Sequence, residues 1–281
     1  MSMVSSNPEQ TERRVKQLEA LYDSFYSEQN RCIYYSDCSE GQHTNGFMFS
    51  RAASVGGNYD LCVDRKPIRI IFVGKEGRNG NDDVHPTTRL SEFSGRVNQH
   101  YQESYKMLCE MLRYNWEARG LKENNRFRDK PDANLTCFAL TNLYRCAFKK
   151  ERSQVKYVPN IERQREHCSE ILRAELRILQ PTVLVLQKAD LKAVNIFPDA
   201  IRHGDHESVW YSTAANVFVI ETSHPHNRNK NRGWYNYYKP RFTDAVNYLA
   251  SIGALPEIGA DLTNEIDKLD DKKRLEDGRA V

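Results

Sequence analysis

The sequence lacks the features that would place the protein in a membrane or outside the cell. No apolar run approaches the length of a membrane span, and the first ten residues lack the basic and then apolar segments of a signal peptide. Internal repeats and low-complexity segments are also missing. The composition, 39% hydrophobic and 28% charged, is that of an ordinary globular protein. We therefore expect a cytoplasmic protein.

A large excess of one charge is absent as well, because 41 basic residues face 38 acidic ones and the formal net charge is +3. The charge is unevenly distributed, since residues 256–281 hold eight acidic and five basic side chains. We predict one α/β domain over residues 1–255 and an acidic C-terminal tail over residues 256–281, partly helical or disordered. The more basic main part is a modest indication of a polyanionic partner.

Seven cysteines do not pair evenly, which argues against the disulfide framework of a secreted domain. In an intracellular protein, a group of cysteines indicates a metal site or a catalytic thiol first. The alternative is that several of them are small buried apolar residues, and we interpret Cys62, Cys109 and Cys137 in this way.

Four short apolar runs predict the strands of a parallel sheet: residues 68–73, 135–142, 182–187 and 216–222. Apolar residues at helical spacing predict four helices: residues 8–29, 97–118, 162–179 and 241–252. Strands that alternate with helical crossovers are typical of the α/β class. We therefore predict a three-layer sandwich in which helices flank a four-stranded parallel sheet.

Polar residues directly follow three of these strands. They are Gly74-Lys75-Glu76-Gly77-Arg78 after the first, Thr141-Asn142 at the end of the second, and Ser223-His224-Pro225 after the fourth. Because ligands bind outside the carboxyl ends of parallel strands, we expect these residues to meet in one crevice. The two glycines of the first group let the backbone turn tightly and approach a ligand closely.

The order of these motifs resembles the uracil-DNA glycosylase superfamily, most nearly its iron–sulfur-containing microbial branches. The similar segments are Gly74–Arg78, Phe93-Ser94-Gly95, Asn142 with Arg145 and Cys146, the Cys168 helix that runs into Pro181, and His224-Pro225. The resemblance extends from about residue 68 to residue 250. Gly77 departs from the pattern, because the family has a proline there.

The resemblance implies two residues that cleave the bond between a base and deoxyribose. Glu76 would stabilise the positive charge that develops on the sugar and orient a water molecule. His224 would stabilise the departing base. The alternatives are that Glu76 is a loop carboxylate paired with Lys75 or Arg78, and that His224 is a turn residue.

The same resemblance implies a pocket for a flipped pyrimidine. Asn142 offers an acceptor and donors to the edge of the base, and Phe93 would stack on it. Gly74, Lys75 and Arg78 would complete the pocket. Asn142 as a turn residue and Phe93 as a core residue are the alternatives.

A basic and aromatic segment follows the histidine. Residues 226–241 contain five basic and four aromatic side chains and no acidic one. Basic side chains neutralise phosphates and aromatic rings stack on bases, so we predict that Arg228, Lys230, Arg232 and Trp234 contact DNA. The alternative is a charged loop in solvent.

By the same resemblance, Cys32, Cys38, Cys146 and Cys168 would hold a [4Fe–4S] cluster. Zinc bound by the same four thiolates is the alternative. Five residues separate Cys32 from Cys38, which is wider than the family's spacing, and the interval from Cys146 to Cys168 is also longer. No nucleotide cofactor is expected.

These observations favour a monomeric DNA glycosylase that excises an aberrant or modified pyrimidine. Uracil is the default substrate. Arg78 stands where the most uracil-selective branch has a tyrosine, so a bulky modified pyrimidine, including one from modified viral DNA, is the alternative substrate, with defence rather than repair as the role. The alternative function is a non-catalytic DNA- or RNA-binding protein with the same fold.

Overall fold

The computed structural model of the chain describes residues 3–25, 32–39, 47–49, 53–74, 99–115, 136–143, 146–148, 161–187, 192–223 and 234–276. Their strands are β1 (Val4–Ser6), β2 (Phe47–Phe49), β3 (Ser54–Val55), β4 (Leu61–Val63), β5 (Lys66–Ile68), β6 (Ile70–Gly74), β7 (Phe138–Asn142), β8 (Cys146–Phe148), β9 (Val183–Gln187), β10 (Ile201–Arg202), β11 (Val209–Ser212) and β12 (Val217–Thr222). Their α-helices are α1 (Pro8–Phe25), α2 (Tyr35–Ser39), α3 (Gln99–Met111), α4 (Ile161–Leu179), α5 (Ala193–Ile196), α6 (Lys239–Ser251) and α7 (Thr263–Glu276).

The central sheet runs in the order β10-β11-β12-β9-β6-β7-β3. The four predicted strands correspond to β6, β7, β9 and β12, and these four are parallel. The predicted total of four strands is wrong, because seven strands of the described chain belong to this sheet. The additional strands β3, β10 and β11 pair antiparallel at the edges. They are only two to four residues long, too short to show a clear alternating pattern in the sequence.

Helices cover both faces of the sheet, as the three-layer prediction requires. Alternate residues of β6 point to opposite faces, so Ile70 and Phe72 belong to one buried cluster and Ile71 and Val73 to the other. Helices α3, α6 and α7 contribute to the first cluster, and α1, α4 and α5 contribute to the second. The parallel strands are therefore buried on both sides, which explains why each reads as a nearly continuous apolar run.

Two predicted helices end where the backbone becomes left-handed. Helix α3 is shorter than the predicted 97–118, because Arg113 has a φ of 53° and the Tyr114 N–H donates to the Cys109 carbonyl oxygen at 2.8 Å. Helix α4 ends at Leu179 as predicted, where Gln180 has a φ of 48° and Pro181 follows. None of the helices among the described residues has the length and apolar character needed to cross a bilayer.

The acidic segment after residue 255 contributes a packed helix. Leu262 and Ile266 are buried in the cluster with α3 and α6. The Leu262 N–H donates to the Arg113 carbonyl oxygen at 3.1 Å, and the Tyr114 hydroxyl donates to Asp267 at 2.8 Å. Helix α7 is thereby attached to the carboxyl end of α3. The division of the chain at residue 255 stays a prediction.

Candidate active site at the carboxyl edge of the sheet

Two of the predicted strand ends lie side by side. Gly74 at the end of β6 is the register partner of Asn142 at the end of β7. The pairing continues past the strand, since the Leu143 N–H donates to the Gly74 carbonyl oxygen at 2.9 Å. Asn142 is half-buried, whereas Gly74 and Leu143 are buried. A side-chain amide is thus held at the edge of the sheet, beside a residue that has no side chain.

The other two parallel strands end at the same edge. Gln187 at the end of β9 is the register partner of Thr222 at the end of β12, and β9 also pairs with β6. The buried Ser223 follows directly, and His224 is the next residue in the chain. Gly74, Asn142 and Ser223 therefore lie at the same edge of the sheet, with β9 between β6 and β12. That they meet in one crevice stays a prediction.

The strand-end side chains face the layer formed by α3 and α6. Phe138, Leu140 and Asn142 alternate along β7, and the first two belong to the cluster that includes α3. Gln187 is on the same face, because its Nε2 donates to Ser104 Oγ on α3 at 2.8 Å and to Met107 Sδ at 3.4 Å. The strand ends at this edge therefore face the middle of α3.

The opposite face of the same edge holds a buried carboxylate. Thr141 Oγ1 donates to Glu175 Oε2 at 2.9 Å, and the Tyr22 hydroxyl donates to Glu175 Oε1. The same Tyr22 hydroxyl accepts from the Ala53 N–H at 2.8 Å. Glu175 is fully buried. This network joins α1, α4 and β7 directly behind Asn142.

Three of the four predicted thiol ligands lie near one another. Cys32, Cys38 and Cys168 are all buried, and α2 packs on α4. Burial, followed by the neighbouring Cys168 and Cys32, raises the pKa of Cys38 to about 11. Among the residues that the structure describes, no three His, Cys, Asp or Glu side chains are arranged to hold a single metal ion. For Cys146 the backbone alone is described, on β8 opposite Phe49.

An aromatic and acidic group surrounds these thiols. The Tyr34 ring stacks on His167 with centroids 4.0 Å apart, and the Tyr34 hydroxyl donates to Glu170 Oε2 at 2.6 Å. That hydrogen bond to Glu170 raises the pKa of Tyr34 to about 12. His167 Nε2 lies 3.3 Å from Asp37 Oδ2. These contacts fasten the segment that carries Cys38 to the helix that carries Cys168.

The structure describes the carboxyl-terminal part of the basic segment, which begins with a π-helical turn, Trp234–Tyr238. This turn leads directly into α6. The Arg241 guanidinium lies over the Tyr237 ring, 4.0 Å from its centroid, and 3.3 Å from Glu207. Because α6 packs on the sheet through Phe242, Val246 and Leu249, the carboxyl end of the segment is anchored to the core.

Most of the predicted site residues lie outside the described part of the chain. These are Lys75, Glu76, Arg78, Phe93, His224, Arg228, Lys230 and Arg232, and Trp234 is described by its backbone alone. The structure describes the side-chain surroundings, or for glycine the backbone surroundings, of five predicted site residues: Gly74, Asn142, Cys32, Cys38 and Cys168.

A model of the uracil DNA glycosylase superfamily matches residues 66–250. This is well over half of the chain and includes every strand of the parallel core. The chain belongs to the uracil DNA glycosylase superfamily. No curated protein matches it significantly.

The superfamily match includes Glu76, Asn142, His224, Cys146 and Cys168. It begins after Cys32 and Cys38, so the predicted nearness to the iron–sulfur branches stays a prediction. The superfamily is thus established for the part of the chain that forms the candidate site.

Sequence reasoning assigned no role to Gln187, Thr222, Ser104 or Glu175. Three of them had a visible signal. Gln187 and Thr222 are the polar last residues of apolar strands, as Asn142 is. Glu175 interrupts the apolar stripe of α4 between Ile171 and Leu179, which points to a buried carboxylate. Their partners come from distant segments and could not be read from the sequence.

Proposed function

We propose that this member of the superfamily is a DNA glycosylase that flips an aberrant or modified pyrimidine out of DNA and hydrolyses its N-glycosidic bond. The observation that carries the proposal is the register of Gly74 with Asn142 at the carboxyl edge of the parallel sheet, inside the segment that matches the superfamily. Ligands of open α/β sheets bind at this edge.

Asn142 would bind the edge of the flipped base. Its amide has both an acceptor and donors, which suits the alternating groups of a pyrimidine. The hydrogen bond from Leu143 to Gly74 supports this role, since it holds the end of β7 against β6. The missing side chain of Gly74 leaves room for a ring beside the amide.

Glu76 and His224 would carry out the bond cleavage. Glu76 follows Gly74 by two residues and His224 follows Ser223 directly, which supports a role for both at the edge where Asn142 lies. A carboxylate near the sugar would stabilise its positive charge and orient water. The histidine would stabilise negative charge on the departing base. Lys75, Arg78 and Phe93 would complete the pocket.

The basic segment would hold the DNA. In the sequence, the segment runs from Ser223, at the end of β12, to α6, and both β12 and α6 are packed in the core. Its proposed DNA contacts are Arg228, Lys230, Arg232 and Trp234. Phosphate contacts make affinity fall with salt, so changing Arg228 to Ala should reduce the slope of log affinity against log salt by about one unit. An unchanged slope would remove this residue from the interface.

A release assay tests the enzyme directly. Duplex and single-stranded oligonucleotides that contain uracil or a bulky modified pyrimidine are incubated with the protein and then treated with alkali, which breaks the strand at an abasic site. We expect a break at the modified position and none in the matched oligonucleotide with ordinary bases. Tight binding without a break for any base would instead favour the non-catalytic nucleic-acid-binding alternative.

We also propose that Cys32, Cys38, Cys146 and Cys168 hold a [4Fe–4S] cluster, with zinc as the alternative. The proximity of three buried thiols supports it, and a cluster spreads its ligands over several irons instead of one ion. Such a group would tie α2, α4 and β8 together. Protein purified without oxygen should show visible thiolate-to-iron absorbance that Cys146→Ala abolishes. A colourless preparation without iron would contradict the cluster, and bound zinc would establish the alternative.

A further inference from the structure

Strand β7 is paired along its whole length on one side and along part of its length on the other. On the first side, β6 pairs with every residue of β7 up to Asn142. On the second side, the described pairing with β3 ends with Ser54 opposite Leu140. Continuing this antiparallel register would place Ala53 opposite Thr141. Among the described residues, the pairing on this side therefore ends before the residue that is proposed to bind the base.

A buried hydrogen-bond network begins where that pairing ends. The Ala53 N–H donates to the Tyr22 hydroxyl at 2.8 Å, and this hydroxyl donates to Glu175 Oε1. Thr141 Oγ1 donates to the other carboxyl oxygen, Glu175 Oε2, at 2.9 Å. The two positions at which backbone pairing would continue, Ala53 and Thr141, are thus connected through two side chains from α1 and α4.

The side chains of this network are shielded from water. Glu175, Thr141 and Tyr22 are 0%, 4% and 6% exposed. Burying a carboxyl group is costly, and hydrogen bonds offset the cost only when their geometry is good. Well-packed apolar side chains of similar volume are often as stable or more stable in such positions. A carboxyl group at this point of the core therefore indicates a role in fixing geometry.

The geometry that the network fixes is that of the neighbouring residue. Successive residues of a strand point to opposite faces, so the Thr141 hydroxyl enters the network while the Asn142 amide projects from the other face. The two residues share one planar peptide group, so a shift of Thr141 also displaces Asn142. Displacing a substrate-positioning group by about 1 Å can slow an enzymatic reaction by about a hundredfold.

We propose that Glu175 is a positioning residue for base release, which holds the outer side of β7 through Thr141 and thereby fixes Asn142 against the flipped base. The inference rests on the proposed glycosylase function. Glu175 acts through Asn142, so removing the network should slow base release by no more than Asn142→Ala does.

The first test removes the hydroxyl at the end of β7. Thr141→Val keeps the branched shape, and base release is measured under single-turnover conditions at saturating protein, with the base that the wild-type protein excises fastest. We expect release to slow by about fivefold to tenfold. Affinity for DNA, measured by fluorescence anisotropy, should be unchanged, because phosphate contacts dominate it. Thr141→Ser retains the hydroxyl and should restore most of the rate.

The matched control is Thr11→Val. Thr11 is 3% exposed and its Oγ1 donates to a carboxylate as well, Asp60 Oδ2, at 3.2 Å. Asp60 lies 4.0 Å from Arg69, which precedes β6, so this pair is at the amino edge of the sheet. Thr11→Val should lower the melting temperature about as much as Thr141→Val does and leave the rate of base release unchanged.

A double-mutant cycle separates positioning from a general loss of stability. In the Asn142→Ala background, Thr141→Val should slow release no further, because the group that it positions is missing. A readout that is independent of catalysis is hydrogen exchange of the Leu143 N–H, which donates to the Gly74 carbonyl oxygen. This exchange should be faster in Thr141→Val than in Thr11→Val.

The outcomes are distinct. Release at the wild-type rate by Thr141→Val overturns this inference alone, as does equal slowing with and without Asn142. Equal exchange of the Leu143 N–H in the two threonine variants also overturns it. No release of any base by the wild-type protein overturns the proposed function and, with it, the role of Glu175 in release.

Discussion

Gly74 and Asn142 are register partners at the ends of adjacent parallel strands, and the Leu143 N–H donates to the Gly74 carbonyl oxygen at 2.9 Å. The amide of Asn142 therefore projects from a strand end that is hydrogen-bonded to its neighbour. A binding group held by strand ladders loses little freedom when a ligand arrives, which favours both affinity and selectivity.

Replacing Asn142 by alanine tests that relationship. We expect base release to slow by about tenfold to a hundredfold, the effect of one or two hydrogen bonds to a buried base. The melting temperature should hardly change, because the Asn142 side chain is only half-buried. Asn115→Ala, at an exposed position four residues beyond the end of α3, is the control. Unchanged release by Asn142→Ala would exclude a base-binding role.

Replacing Glu76 by glutamine tests the chemical step. The amide keeps the shape but loses the charge that stabilises the sugar cation, so turnover should fall by about a hundredfold or more. DNA affinity, measured by fluorescence anisotropy, should remain. A variant with wild-type turnover would show that another group orients the water molecule.

The buried network behind Asn142 should contribute strongly to stability. In Glu175→Ala the hydroxyls of Tyr22 and Thr141 lose their acceptor, so the free energy of unfolding should fall by about 2–5 kcal/mol. Urea denaturation measures it. Glu175→Gln retains an acceptor and should cost less. Equal losses for both variants would show that the carboxylate, with its charge and two acceptor oxygens, is decisive and that side-chain volume is not.

Glu110 on α3 gives a prediction about pH. Burial raises the pKa of its carboxyl, despite a hydrogen bond from Thr243 and the nearby Lys239 and Arg113. A raised pKa in the folded state means that the folded protein binds the proton more tightly, so stability falls as the pH rises above the unfolded pKa of about 4.3. Glu110→Gln should therefore raise the melting temperature at pH 7.

The advantage of Glu110→Gln should shrink toward pH 4, where both proteins carry a neutral side chain at this position. Melting curves at several pH values provide the comparison. An equal advantage at pH 4 and pH 7 would show that burial of the charge is not the cause.

Helix α7 should stabilise the protein without masking the basic segment. It is attached to Arg113 and Tyr114 at the carboxyl end of α3, whereas Ser104, nearer the other end, contacts Gln187 at the candidate site. Removing residues 261–281 should lower the melting temperature, since Leu262 and Ile266 each contribute about 1.5–3 kcal/mol on burial.

The affinity of the shortened protein for DNA should equal that of the full chain at the same salt concentration. Leu262→Ala serves as a comparison that weakens packing without removing acidic side chains. A large gain in affinity on truncation, absent in Leu262→Ala, would show that the acidic segment competes with DNA.

The sequence by itself determined the parallel core. Strands β6, β7, β9 and β12 are apolar over their whole length because both faces are buried, and this pattern is visible in a single sequence. The same runs end in polar residues, which located Gly74, Asn142 and Ser223 at one edge. The edge strands β3, β10 and β11 were not predicted, since two to four residues do not establish a period.

Only the tertiary structure decided which polar residues meet. Ser104 and Gln187 are far apart in the chain, as are Tyr22 and Glu175, and sequence spacing says nothing about such pairs. The packing of α3 on one face and of α1 and α4 on the other brings them together. The order β12-β9-β6-β7 likewise places a glycine between two amides. Apolar periodicity fixes which face of each element is buried, but the identity of the neighbour depends on how the layers pack.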